Sequence, residues 1–185
     1  GQPQKQETFQ PLPSGFRLVP YADADALVAA LDERVCAVLL EAVQGEGGVN
    51  PAPPGYLEAV RSWCDEREAL LMIDEVQTGL GRTGRWFGYQ HADVQPDVVT
   101  MAKALGNGVP IGACWARADV AAAFRPGDHA TTFGGQPLAA RAMRRASGRD
   151  AAIGFSVRRW APWAAMASPT SPWRAFSGQK RTRSK

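Results

Sequence analysis

Four short apolar runs constrain this chain most: VCAVLL (35–40), ALLMI (69–73), VVTMA (98–102) and IGACWA (111–116). The first two have no polar alternation, which suits strands buried on both faces of a sheet. Between the runs the apolar spacing turns helical. Ala26, Leu27, Ala30 and Leu31 follow a candidate cap at Asp23, and Leu57, Val60, Trp63 and Cys64 mark a second helix over 56–68. RADVAAAF (117–124) reads as a short third helix, while QGEGGVNPAPPG (44–55), GLGRTGRWFG (79–88) and HATTFGGQP (129–137) read as loops. Helix alternating with strand predicts an α/β layered fold with a mostly parallel sheet. No internal repeat is visible.

Charge divides the chain in two. Residues 1–140 hold 10 Lys/Arg against 17 Asp/Glu, a net −7, whereas residues 141–185 hold 11 Lys/Arg against the single Asp150, a net +10. We therefore expect a folded part over 1–140 and a basic tail rich in Arg, Ala, Trp and Pro over 141–185. The tail is read as unstructured, its composition matching a shifted reading frame in GC-rich coding sequence; a nucleic-acid arm is the lesser reading. No apolar run reaches the length of a membrane span. GQPQKQETFQPLPSGF has no signal-peptide pattern, and the chain is read as starting inside a longer protein. Cys36, Cys64 and Cys114 form no metal or disulfide spacing and are expected to pack in a cytoplasmic protein.

Three of the runs end in a charged residue: Glu41, Asp74 and Lys103. In open α/β sheets, ligands gather outside the carboxyl ends of the strands, so two acids and an amine are expected along one edge. A lysine amine becomes a catalyst when it forms an imine with a carbonyl, as it does with pyridoxal phosphate. A carboxylate beside the ring nitrogen of that cofactor favours the protonated ring. Asp74 suits this role, with Val76 packing on the ring face and Gln77 reaching the ring hydroxyl. Thr131, Thr132 and the backbone N–H groups of TTFGG suit phosphate and other anions.

LLEAVQGEGG (39–48), LLMIDEVQTGLGRTG (70–84), PDVVTMAKALGNGVPIGA (96–113) and HATTFGGQPLA (129–139) resemble class III, pyridoxal-phosphate-dependent aminotransferases. GFRLVPYADADAL (15–27) is similar to their acetylornithine-type members. The resemblance implies part of the large domain of a fold-type I transferase, working as a homodimer. It implies that Lys103 holds the cofactor and moves the substrate proton, and that Asp74, Val76 and Gln77 surround the ring with Glu75 in a supporting hydrogen-bond role. Thr132 would bind the cofactor phosphate across the dimer interface. Thr131, Glu46 and Glu41 would serve the substrate side, Glu46 by gating an arginine for the substrate carboxylate. The implied reaction passes the δ-amino group of N-acetylornithine to 2-oxoglutarate, as in arginine biosynthesis. Ornithine, succinylornithine, acyl-lysine and succinyldiaminopimelate remain alternative donors.

The departures carry weight too. Family members run to about twice this length, and the segments bearing a Gly-containing phosphate turn, a ring-stacking aromatic and the substrate arginines are not found here. Ala42 stands where a proline is usual. The chain is therefore expected to be an internal fragment with the lysine half of a site and little activity alone, the alternative being an inactive pseudoenzyme. A nucleotide-dependent oxidoreductase is discounted because GLGRTGRWFG lacks GxGxxG spacing. A metal site is discounted because His91 and His129 stand apart.

Overall fold

The computed structural model describes residues 3–146 and the strand Trp173–Ala175. Helices α1 (Pro3–Gln6) and α2 (Ala24–Ala30) precede strand β1 (Ala37–Leu40) and a small antiparallel pair, β2 (Val43–Gln44) and β3 (Asn50–Pro51). Helix α3 (Tyr56–Glu66) leads into β4 (Leu70–Asp74), followed by β5 (Val98–Met101) and β6 (Ala113–Arg117). Helices α4 (Ala118–Ala121) and α5 (Pro137–Ala146) follow, and β7 is Trp173–Ala175. Every one of the four apolar runs contains a strand.

The main sheet has the order β1-β4-β5-β6-β7. The β1–β4 and β4–β5 pairs are parallel, and β6 lies antiparallel to both β5 and β7. Four of the five strands thus point one way. That is the mostly parallel sheet expected, with one reversed strand that apolar patterning alone cannot reveal.

Asp23 caps α2 as expected: its side chain accepts a hydrogen bond from the Ala26 N–H at 2.9 Å, satisfying a donor that the first helical turn leaves free. Helix α3 buries Tyr56, Leu57, Val60 and Cys64 at the i, i+4 spacing of a single face. That stripe joins Leu71 and Ile73 of β4, Val99 and Met101 of β5, and Trp115 in the core. Side chains alternate along a strand, so Leu70, Met72 and Asp74 stand on the other, more open face. Leu39 pairs in register with Met72 and is 61% exposed. The expectation that VCAVLL is buried on both faces therefore fails at Leu39, because β1 is the edge strand and one of its faces is uncovered here.

Residues 141–146, expected to open the unstructured tail, continue α5 instead. Pro137 stands at the helix start, where a missing N–H costs nothing. Ala139 and Met143, four apart, bury a common stripe while Arg141, Arg144 and Arg145 face outward. The change in charge at residue 140 falls inside this stripe and hides its period. The rest of the expected tail, 147–172 and 176–185, lies outside the described residues, and the nucleic-acid reading falls there.

Among the described residues no helix is long and apolar enough to cross a membrane.

Candidate active site

The carboxyl ends of β1, β4 and β5 bring the expected strand-end residues to one edge. Asp74, the last residue of β4, pairs in register with Thr100 of β5, and the Glu75 N–H continues the ladder to the Thr100 carbonyl at 2.9 Å. Lys103 follows Thr100 by three residues, so its Cα lies within about 11 Å of the Cα paired with Asp74. The β1–β4 register ends at Leu40 opposite Ile73, which carries Glu41 to the level of Asp74.

Asp74 is half-buried, and its Oδ1 accepts the Val76 N–H at 2.8 Å. Among the described residues no donor engages its Oδ2. Lys103 is exposed and has no ion-pair or hydrogen-bond partner among the described residues. Its backbone sits at φ +49°, in the left-handed region that costs a side-chain-bearing residue about 1–2 kcal/mol. The short helical turn Lys103–Gly106 holds it there: Leu105 is buried in the core, and the Leu105 N–H donates to the Ala102 carbonyl at 3.0 Å. Gly106 packs so closely on Ile111 that a Cβ would come within 2.8 Å of Ile111 Cγ2.

Glu41 and Gln77 meet through the intervening loop. The Glu41 carboxylate accepts the Gly45 N–H at 3.0 Å, and a Cβ on Gly45 would lie 2.5 Å from Gln77 Cγ. Only glycine lets this loop approach the segment after β4. Glu46 sits on the exposed outer part of the loop, 3.6 Å from Lys5 in a solvated ion pair. Thr131 and Thr132 stand exposed on the loop between α4 and α5. Glu75 behaves differently from its neighbours. It is 1% exposed and takes the strand parity of Leu71 and Ile73, opposite Asp74. Its negative charge and, above all, burial push the Tyr89 hydroxyl pKa well up.

Tyr21 closes the far side of β1, its hydroxyl lying 3.0 Å from the Glu41 carbonyl and 3.2 Å from that of Ala42. Burial first, then the nearby Tyr56 and Glu41, push its pKa from 10.0 up to about 12. The folded form thus resists ionisation that the unfolded chain undergoes near pH 10. Stability from this group is complete below that pH and is lost as pH rises toward 12. Tyr21→Phe is expected to flatten the fall of the thermal midpoint between pH 10 and 12. An unchanged alkaline limb would show that Tyr21 does not control it. Cys64, whose burial lifts its thiol to about 11, would leave a residual slope.

Two arginines converge on a residue that sequence reasoning passed over. Asp97, just before β5, is 1% exposed and its Oδ2 accepts from Arg61 Nη1 at 2.8 Å and from the Leu71 N–H at 2.7 Å. Arg117 forms an ion pair with Oδ1 outside hydrogen-bond geometry. Its only sequence signal is an acid wedged between Pro96 and two valines.

The chain is similar to known proteins over most of these elements. Residues 2–146 match the model of a family described as "Aminotransferase class-III". The acetylornithine aminotransferase of Caldanaerobacter subterraneus is 55% identical over 142 residues, 77% of this chain and 36% of that protein. The Methanopyrus kandleri acetylornithine aminotransferase is 52% identical over 141 residues, covering 76% and 36%. Among solved structures, the ornithine aminotransferase of Toxoplasma gondii ME49 superposes with a TM-score of 0.76 at 44% identity, covering 78% of this chain and 35% of that one. The N-acetylornithine aminotransferase of Stenotrophomonas maltophilia gives 0.65 at 47% identity, covering 73% and 35%. The chain thus spans about a third of the length of these relatives.

Proposed function

The chain belongs to the class III aminotransferases, and from that premise we propose that it contributes the lysine-bearing part of a pyridoxal-phosphate site. One observation carries this reading. An amine with no partner among the described residues and a carboxylate with one uncommitted oxygen share the sheet edge formed by β4 and β5. Such a pair suits the chemistry of a pyridine aldehyde, the amine for its carbonyl and the carboxylate for its ring nitrogen. A second Toxoplasma gondii ornithine aminotransferase structure, at 44% identity, is described as having partial occupancy of PLP at its active site, which supports the same cofactor here.

When bound, the cofactor supplies an aldehyde for the amine and a ring that stores the electrons released at the substrate carbon. Lys103 anchors it and carries the proton to and from that carbon. Asp74 holds one oxygen on the Val76 N–H and would offer the other to the ring nitrogen. Val76 would pack on a ring face, and Gln77, beside Gly45, would serve the ring hydroxyl. We read Glu41 as the brace of that loop, with Glu46 and Thr131 on the substrate side. Thr132, exposed on the loop between α4 and α5, suits the cofactor phosphate of a second copy in a homodimer. The cytoplasm, where free thiols persist, is the proposed compartment.

The proposed reaction transfers the δ-amino group of N-acetylornithine to 2-oxoglutarate. Sequence identity above 50% to acetylornithine aminotransferases supports the acylated donor, while the ornithine aminotransferase superposition favours free ornithine as the second reading. Initial rates decide between them. With the protein loaded with pyridoxal phosphate, glutamate formation is expected to be at least about tenfold faster from N-acetylornithine than from ornithine, a single unfavourable pocket contact's worth of discrimination. The reverse order would favour the ornithine reading. The chain spans about a third of these relatives, so no measurable glutamate from either donor matches the little activity expected of it alone, and borohydride-stable attachment of pyridoxal phosphate at Lys103 then decides the reading: its absence would sink it.

A further inference from the structure

We propose that Glu75 is a positioning residue for Asp74, its carboxylate latching the glycine-rich 79–87 segment onto the turn that carries the ring-facing acid. The inference rests on the cofactor reading above and deepens it. Glu75 Oε2 accepts the Thr78 hydroxyl at 2.5 Å and the Gly88 N–H at 2.9 Å, and Oε1 accepts the Tyr89 N–H at 2.9 Å. Among the described residues, those three donors are its partners and no cation faces it. A carboxylate buried this deeply persists only where donors replace the lost water.

The same residue fixes the turn through its backbone. Its N–H donates to Thr100 at the end of β5, and its carbonyl accepts the Gly79 N–H at 2.9 Å. Gly79 has to be glycine for this closure, since a Cβ there would stand 2.7 Å from the Glu75 oxygen. The Val76 N–H inside that turn is the donor that orients Asp74. Carboxylate latch, turn and Asp74 are therefore one connected hydrogen-bonded unit, with Asp74 and Glu75 on opposite faces of the sheet.

The site demands an acceptor-only group. In Glu75→Gln, the amide NH2 must point at the Gly88 N–H or the Tyr89 N–H, and neither backbone donor can turn into an acceptor. One strand of the latch opens whichever way the amide lies. Asp74 then loses its fixed aim at the ring nitrogen, the ring holds its proton less firmly, and its electron withdrawal weakens. The lysine-linked nitrogen becomes more basic, so the visible absorbance of the lysine-bound cofactor titrates at higher pH.

The test compares the protein with Glu75→Gln, Thr78→Val and Val60→Ala, each loaded with pyridoxal phosphate and titrated by visible absorbance against pH. Glu75→Gln is expected to raise the midpoint by about one unit, with Thr78→Val moving it the same way by less. Val60→Ala, which removes core packing from α3, is expected to lower the thermal midpoint without moving the titration. That contrast separates positioning from stability alone. Should Glu75→Gln fail to fold, Thr78→Val measured against Val60→Ala decides. Midpoints in the Glu75 and Thr78 variants no different from Val60→Ala overturn the latch while leaving the cofactor reading intact. An unsubstituted protein that takes no borohydride-stable cofactor at Lys103 overturns the cofactor reading, and the latch with it.

Discussion

Lys103→Ala is expected to abolish borohydride-stable attachment of pyridoxal phosphate while leaving the fold intact. The sequence contains four lysines, Lys5, Lys103, Lys180 and Lys185, so peptide mapping of the labelled protein gives an unambiguous location. Lys5 sits beside Glu46 near the start of the chain, and Lys180 and Lys185 fall in the residues outside the description. Among the described residues, only Lys103 stands at the sheet edge with Asp74. Its side chain is exposed, so truncation is expected to change stability by no more than about 0.5 kcal/mol. Whatever amino transfer the chain supports is expected to fall by about 10²–10⁴-fold from the loss of proton transfer alone, and further because the anchoring amine is gone. Lys103→Arg should fail equally, since a guanidinium stays charged at neutral pH and forms no imine. Label retained on another residue in Lys103→Ala, with transfer unchanged, would end the assignment.

The backbone at Lys103 explains why this residue is placed as it is. A left-handed conformation at a non-glycine residue survives only where its surroundings over-determine it. Buried Leu105 on one side and the tight Gly106–Ile111 contact on the other supply that constraint. The residue held in this conformation is exposed, so its amine stays accessible at the sheet edge. It could not be read from MAKALGNG, where Gly106 and Gly108 signal a turn and Lys103 does not.

What the sequence makes legible follows from how far each signal reaches. The alternating helices, the strands and the Asp23 cap depend on neighbours within a few residues, and all of them appear. The strand-end rule also brings Glu41, Asp74 and Lys103 to one edge without any knowledge of contacts. Long-range partners are what local patterning misses. Leu39 looks buried because its neighbours are apolar, yet its burial depends on an adjacent layer. Asp97 looks like a solvated loop acid, and nothing near it announces Arg61, 36 residues earlier, or Arg117, 20 residues later. Helix α5 hides in the sequence because the change in charge near residue 140 is a stronger local signal than a stripe of two buried residues.

Asp97→Ala is expected to cost about 3–5 kcal/mol, the range for removing one partner of a buried ion pair. The loss has three parts. Arg61, 15% exposed at its side chain, keeps its charge with the exposed Asp65 at 2.7 Å and the Gln95 carbonyl at 3.3 Å left to face it among the described residues. The Leu71 N–H, otherwise bonded to Asp97 Oδ2, is stranded in the core. Arg117 loses its hold on the start of β5, though its pairing with exposed Asp119 remains. Set against a typical domain stability of about 5–15 kcal/mol, this is enough to leave a marginal chain largely unfolded. Asp119→Ala is the matched control: it removes an exposed partner of the same arginine and should cost no more than about 1 kcal/mol. The consequence reaches the active site because Asp97 ties β4 to β5 from the opposite end. Its own N–H donates to the Leu71 carbonyl at 2.7 Å, and its side chain returns to the Leu71 N–H, so the two strands are locked in register at that level. A slip of one residue there would turn Asp74 to the packed face. Urea unfolding of the two variants measures the difference directly. Should Asp97→Ala lose less than about 1 kcal/mol, the buried pair is not what sets the register, and the alignment of Asp74 with Thr100 must come from the apolar core alone.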